Sequence, residues 1–418
     1  MNKRHKEGYG RNYWAMAFEG SCFMGGIAIM STSGAVAVFI NTMTGSKSLV
    51  GLAVTVQAIF SFIGQLSSGP HVGSIRKLPE FLFKSMAIQR VIPLFMALPL
   101  FFGAAGNWSV SIFLLLFGIF WFFDGFMTVP WGELCVRALS PVLRGHMMGM
   151  QVTVGGVASL LTGLLLTWLL AAPSLSENHR FAIIFVLTAV ILLLSLIAIH
   201  MVRDPNPIVN PAKLQVRQFY MRIPSIIKGS RPLQHALLAR IPAFVGFSSI
   251  TFIVVFGSSV LKLSDVQVSW LVYANIIGGL VGGIVIGETS RRFGNKSAIL
   301  LCNISVLIAI VMAVSLIYAP NLGYGWIFAT CIFASLASSN WIGYFNYFLD
   351  IAPNEERTVF QVIGNCVGIP FSFVGYAMGA VIDRWGFITA FVIGGVFAFA
   401  AFILSLRLLP RRQLGEQG

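Results

Sequence analysis

This sequence is poor in charged residues, which fill only 10% of its 418 positions while hydrophobic residues fill 57%. Ordinary soluble domains carry roughly a quarter charged residues. A soluble core also cannot grow to hide so much apolar surface in one chain, so a water-soluble globule is excluded. Acids are the scarcer sign: 14 Asp and Glu stand against 28 Lys and Arg, a net charge of +14. The basic residues form no stripe or basic domain but punctuate apolar runs, which argues against nucleic acid as a partner. Cysteine is scarce too. Cys22, Cys135, Cys302, Cys331 and Cys366 lie in or beside apolar segments, in no CxxC or metal-ligand spacing. That excludes a disulfide framework and a thiolate metal site, and they read as small core hydrophobes. HExxH, GxSxG and phosphate-cradling loops are missing, and no connector is long enough for an ATPase. No enzyme, cofactor or metal site is expected.

What the sequence does have is long apolar runs. They are continuous rather than alternating, which selects helices over a β-barrel, the only other structure that satisfies its backbone in lipid. A span needs about 20 mainly apolar residues. The chain divides into twelve such segments: 13–41, 49–69, 88–106, 109–133, 147–171, 181–202, 235–260, 267–287, 297–319, 325–349, 360–383 and 386–408. The first is too long for a signal-peptide apolar region and contains Glu19. Short polar turns (TGSKS, GN, PSLSENH, LKLSD, PNLGYG, DRWG) separate many of the spans, and one long connector runs from Arg203 to Gln234. The expected organisation is a six-helix half over 1–202, a cytoplasmic linker over 203–234 and a second six-helix half over 235–418. Its stretch LQVRQFYMRI either lies on the anionic inner leaflet or stays solvated.

Basic residues record orientation in membrane proteins. With the N-terminus inside, the cytoplasmic tails and loops hold 24 of the 28 Lys and Arg, and the opposite side holds only Lys47, Arg180, Lys262 and Arg384. This predicts both termini in the cytoplasm of a multi-pass protein of the cell membrane, plasma or bacterial inner. The halves also echo one another. Glu133 precedes Pro141 and Arg144 after the fourth span, and Asp350 precedes Pro353 and Arg357 after the tenth. Internal repeats of this kind are common in transporters, with sites near the repeat interface.

Twelve spans, a six-plus-six division and a central cytoplasmic loop resemble the major facilitator superfamily, bacterial type. The loop after the eighth span, Gly287-Glu-Thr-Ser-Arg291-Arg292-Phe293-Gly294-Asn295-Lys296, is similar to the family signature G-x-x-x-D-R-x-G-R-R. Gly287, Arg292, Gly294 and Lys296 fit it, and Arg291 stands where the family has aspartate. Met43 to Leu52, Asn346 to Arg357 and the Gly375/Gly379/Asp383 ending of the eleventh span also look like bacterial members. The antiporter signature of the fifth span is not met, since Gly155-Gly156 lacks its proline, so direction stays open. The resemblance implies an all-α fold of two pseudo-symmetric bundles, alternating access, and a central cavity lined by spans one, four, seven and ten.

Those spans carry the polar residues that need a reason. A charge inside a bilayer costs roughly 2.5–3.5 kcal/mol on insertion scales. Glu19 lies in span one, Asp124 in span four, Arg240 in span seven, and Asn340, Trp341, Tyr344 and Asn346 in span ten. Two readings stay open for Glu19, Asp124 and Arg240: a proton or substrate site with Arg240 as counter-charge, or an ion-pair latch toward the cytoplasmic helix ends. Trp121 stands in an aromatic run, Phe117 to Phe126, that could wall an apolar ligand. Gly279, Gly283 and Gly287 recur at a spacing that lets helices approach closely. The expected activity is secondary transport of a small solute, most simply proton-coupled efflux of a drug-like or natural-product compound. Nutrient uptake is the alternative, and a non-transporting membrane ligand sensor the reading from another class. The expected partners are the lipid bilayer, a small-molecule substrate and protons, with the chain a monomer.

Overall fold

In a computed structural model, residues 3–30, 35–103, 106–171, 175–205, 207 and 215–410 are described. The described residues are almost wholly helical. The helices are α1 Lys3–Ile29, α2 Ala35–Thr44, α3 Lys47–Ser68, α4 Leu78–Phe101, α5 Gly106–Ala138, α6 Pro141–Ala171, α7 Glu177–Met201, α8 Val216–Met221, α9 Ile223–Gly229, α10 Arg231–Ile250, α11 Ile253–Ser259, α12 Asp265–Phe293, α13 Asn295–Tyr318, α14 Gly323–Leu336, α15 Asn340–Asp350, α16 Arg357–Cys366 and α17 Val374–Leu406. Among the described residues, ten helical stretches are long and apolar enough to cross a membrane. One of them, Arg357–Leu406, is 50 residues long and is broken at Gly386, whose φ of +81° is non-helical. It therefore makes two passages. With α1 and α2 as the first passage, the total reaches the expected twelve.

The polar turns act as helix starts. Ser46, Ser176, Ser230 and Ser264 each accept a hydrogen bond from a backbone N–H three residues on, at the starts of α3, α7, α10 and α12. This satisfies one of the orphan donors every helix start exposes. At α12 the Gln267 side chain reaches back to Ser264, completing a capping box. The DRWG turn ends at Gly386, where left-handed backbone suits glycine.

The chain forms two compact units. One comprises Met1–Ser140 and Val154–Phe219, the other Pro141–Thr153 and Tyr220–Gly418. The boundary at Phe219 falls inside the long connector. The grouping of Pro141–Thr153 with the second unit is not legible in a simple six-plus-six reading. The core of the first unit gathers Phe39, Phe113, Phe117, Phe120 and Phe185, with Phe39 packed edge-on against Phe185. The core of the second gathers Ile253, Phe256, Leu271, Ile310, Ile327 and Phe391. Large apolar side chains also point outward. Val157, Leu161, Leu164 and Trp168 form one exposed stripe on α6, as hydrocarbon requires and water would not tolerate.

Helix α12 carries two small-residue faces. A Cβ on Gly283 would meet Gly149 O at 2.8 Å and Thr153 N at 3.0 Å, and one on Gly287 would meet Gly149 Cα at 2.9 Å. Gly278 and Gly282 instead lie against Ile332 and Leu336 of α14. Gly279 departs from expectation, since a Cβ there meets nothing within 4 Å. The packing face is Gly283/Gly287, not all three.

Candidate functional site

A charged centre is buried in the first unit. Glu19 of α1 and Arg90 of α4 are 3% and 1% exposed. Arg90 Nη2 donates to Glu19 Oε1 at 3.3 Å, and Trp131 Nε1 of α5 donates to Glu19 Oε2 at 3.2 Å. Arg90 Nε donates to Ser195 Oγ of α7 at 3.1 Å, and its Nη1 donates to Gln89 Oε1. Gln89 Nε2 in turn donates to the Phe120 carbonyl at 3.1 Å. Asp124 joins the group, beside Gln89 and within electrostatic reach of Arg90. The guanidinium also sits 4.6 Å from the centre of the Phe23 ring. Two carboxylates thus face one cation. At 1.5 Å per residue, Arg90 lies about 18 Å along α4 from Leu78, so this centre is well inside the helices rather than at their ends.

The counter-charge expected at Arg240 is a correction. Glu19 pairs with Arg90, which was counted with the cytoplasmic loop residues although it lies just inside the expected third span, 88–106. The helix begins at Leu78, with Pro79 and Glu80 in its first turn, as helix starts prefer. Those two residues were the available signal.

Arg240 belongs to a second site, in the second unit. It lines a cavity of about 150 Å³ with Ala243, Phe244, Phe247, Ala337, Ser338, Asn340, Trp341 and Tyr344. Four residues picked from sequence, Arg240, Asn340, Trp341 and Tyr344, therefore converge. The guanidinium carbon lies 5.1 Å from the Tyr344 ring centre, 5.4 Å from Phe244 and 5.5 Å from Phe348. Asn346 does not line it. It is fully buried, donating to the Ile342 carbonyl and to Met148 Sδ. Trp121 is core rather than ligand wall, packed edge-on against Phe117 and Phe120.

Residues 236–417 match the family model of the Major Facilitator Superfamily. The whole chain superposes on solved members of that class. It is similar to the proton:xylose symporter XylE bound to 6-bromo-6-deoxy-D-glucose, with TM-score 0.74 and 14% identity over 97% of each chain. It is similar to FucP in its outward conformation, with TM-score 0.70 and 14% identity over 96% of this chain and 99% of that one. This is a Major Facilitator Superfamily fold. A bacterial homologue of the iron transporter ferroportin, in its outward-facing state, gives TM-score 0.70 at 11% identity over 96% of this chain and 99% of that one. No curated protein matches it in sequence.

In this chain the loop signature is built with substituted parts. Arg291 occupies the aspartate position, and Glu288 supplies the carboxylate from three residues earlier. Arg291 Nε donates to it at 2.6 Å, and Arg292 pairs with it as well. Gly294 joins α12 to α13 at φ +88°, and Lys296 donates to the Leu406 carbonyl at 2.7 Å. The two repeated acid-and-arginine endings do not pair within themselves. Arg144 reaches Asp350 at 2.5 Å, and Asn295 also donates to Asp350, at 2.6 Å. Glu133 accepts from Arg137 at 2.9 Å, and Arg137 bridges to Asp204 at 3.1 Å. Arg357 donates to Asn354 at 2.5 Å. Arg144–Asp350 is thus an ion pair at helix ends, and Glu19 pairs with Arg90 rather than with Arg240.

Proposed function

We propose that this chain is a proton-coupled secondary transporter of a small organic solute. The carrying observation is the centre formed by buried Glu19 and Arg90 with half-buried Asp124. Two acids oppose one cation there, and a net charge inside hydrocarbon is costly. A proton is the simplest means of neutralising the third charge. Helix movement that separates Glu19 from Arg90 would let that proton on or off, and this is the coupling a gradient-driven carrier needs. The cavity at Arg240 is the solute site in this reading, and alternating access exposes it to each side in turn.

The aromatic lining of that cavity supports a partly apolar solute and, with it, efflux of a drug-like or natural-product compound. Uptake of a metabolite is the second reading, favoured by likeness to a proton:xylose symporter and to FucP. The test is a thermal-stability screen of sugars, aromatic acids and amines on the purified protein, followed by flux of the stabilising solutes in proteoliposomes. Under an imposed pH gradient, at least one solute is expected to move against its own gradient, and the sign of that movement gives direction. Binding with no flux under any gradient would instead favour a ligand sensor.

A further inference from the structure

Arg240 is unusual among the described arginines. Its Nε and Nη1 are buried and make no hydrogen bond, which is true of Arg144 too, but Arg240 also lacks a carboxylate. Among the described residues it has no ion pair, whereas Arg90, Arg137 and Arg144 each hold a carboxylate. Three aromatic faces hold the cation in place. Rings attract a cation through their quadrupole but leave its hydrogen-bond fork unused. A buried charge is ordinarily paired, so a lone guanidinium lining a cavity is a place prepared for an anion from outside the chain.

We propose that this cavity is a subsite for an organic anion, an aromatic monocarboxylate whose carboxylate takes the free fork of Arg240 and whose ring lies among Phe244, Phe247, Trp341 and Tyr344. The proposal deepens the transport reading by naming its substrate class. A planar guanidinium presents parallel N–H donors that match a carboxylate bidentately. A neutral sugar could accept one of those bonds but would leave the charge unopposed, and an amine would be repelled. The size fits a single ring, since a cavity near 150 Å³ is roughly what holds benzene in an apolar protein site. Asn340 Oδ1 is also buried without a partner and lines the same cavity. It suits a ligand hydroxyl, so a hydroxylated ring serves best as the probe.

The experiment uses the purified full chain in detergent at neutral pH. The probes are 4-hydroxybenzoate, its amide 4-hydroxybenzamide and the amine 4-hydroxybenzylamine, read by tryptophan fluorescence and by the shift in melting temperature. The acid is expected to bind about tenfold tighter than the amide, as one charge-assisted hydrogen bond would give, and the amine not at all. Arg240→Gln should bring acid binding down to the level of the amide, with Arg240→Lys in between. Equal binding of acid and amide, preference for the amine, or no binding of any probe overturns the proposal. So does an Arg240→Gln protein that binds the acid as wild type does. Should that variant fail to fold, the wild-type comparison of acid with amide decides alone. Inorganic phosphate is the last arm: competition by phosphate at equal concentration would show a plain anion site and overturn the aromatic half. Acid binding without flux would defeat the transport reading and leave this one standing. Gradient-driven flux of a neutral solute with no acid binding would do the reverse.

Discussion

At the scale of single residues, two arginines inside the helices divide the chemistry. Arg90 is spent on a structural and electrostatic centre with Glu19, and Arg240 has no ion pair among the described residues. Breaking a buried pair by removing one member costs about 3–5 kcal/mol, because the other charge is stranded. Arg90→Met should therefore lower the melting temperature and folded yield sharply, with Glu19 and Asp124 left facing each other. Adding Glu19→Gln to it should recover part of that loss, because one of the two stranded charges is gone and sites in contact are non-additive. An Arg90→Met protein that melts like wild type would show that the contact carries no such energy. The acids of this centre were legible because a carboxylate in an apolar run stands out. Arg90 was not. Arg90 lies near the start of the expected span and so read as a helix-end residue, while the real helix begins ten residues earlier, at Leu78.

At the scale of elements, the serine-led turns were legible because a helix start leaves donors that only a few side chains can satisfy. The glycine faces of α12 were legible as packing but not in detail. A one-residue step turns a helix by about 100°, so Gly278 and Gly279 serve different surroundings. Gly283→Leu should lower folded yield severely, since the added side chain would push against the Gly149 and Thr153 backbone. Gly279→Leu should be nearly neutral because open space lies beside it. The check is the monodisperse fraction of each variant after extraction, and equal yields would contradict the assigned face. The Arg144–Asp350 contact was hidden for another reason. Sequence places each residue at the end of a similar motif, but which motif ends meet is decided by tertiary packing.

At the scale of the whole molecule, the fold was readable because lipid leaves the chain few choices. Apolar composition, span length and the short polar turns each pointed to a multi-pass helical protein of about twelve passages. The orientation argument survives a correction. Removing Arg90 and Arg240, the two that lie at a charged centre or cavity within the helices, from the cytoplasmic count leaves 24 − 2 = 22 against 4. A reporter active only outside the cytoplasm, fused at Gly418, should therefore stay silent, and activity there would reverse the topology. Substrate class was less readable, since it depends on which of the buried charges remains unpaired after folding.

The measurement that bears most directly on the account is solute flux in proteoliposomes as a function of imposed pH gradient, comparing wild type with Glu19→Gln. Radiolabelled 4-hydroxybenzoate serves as solute, or whichever solute stabilises the wild type in the screen. Gln keeps the shape of the side chain and an acceptor for Arg90 and Trp131, but it cannot carry a proton on and off. Protein-free vesicles correct for passive leak. The account predicts that the variant folds, binds the solute and exchanges it down its own gradient, while its flux no longer responds to the pH gradient. A variant whose flux follows that gradient with the wild-type slope would contradict it and remove Glu19 from the coupling site.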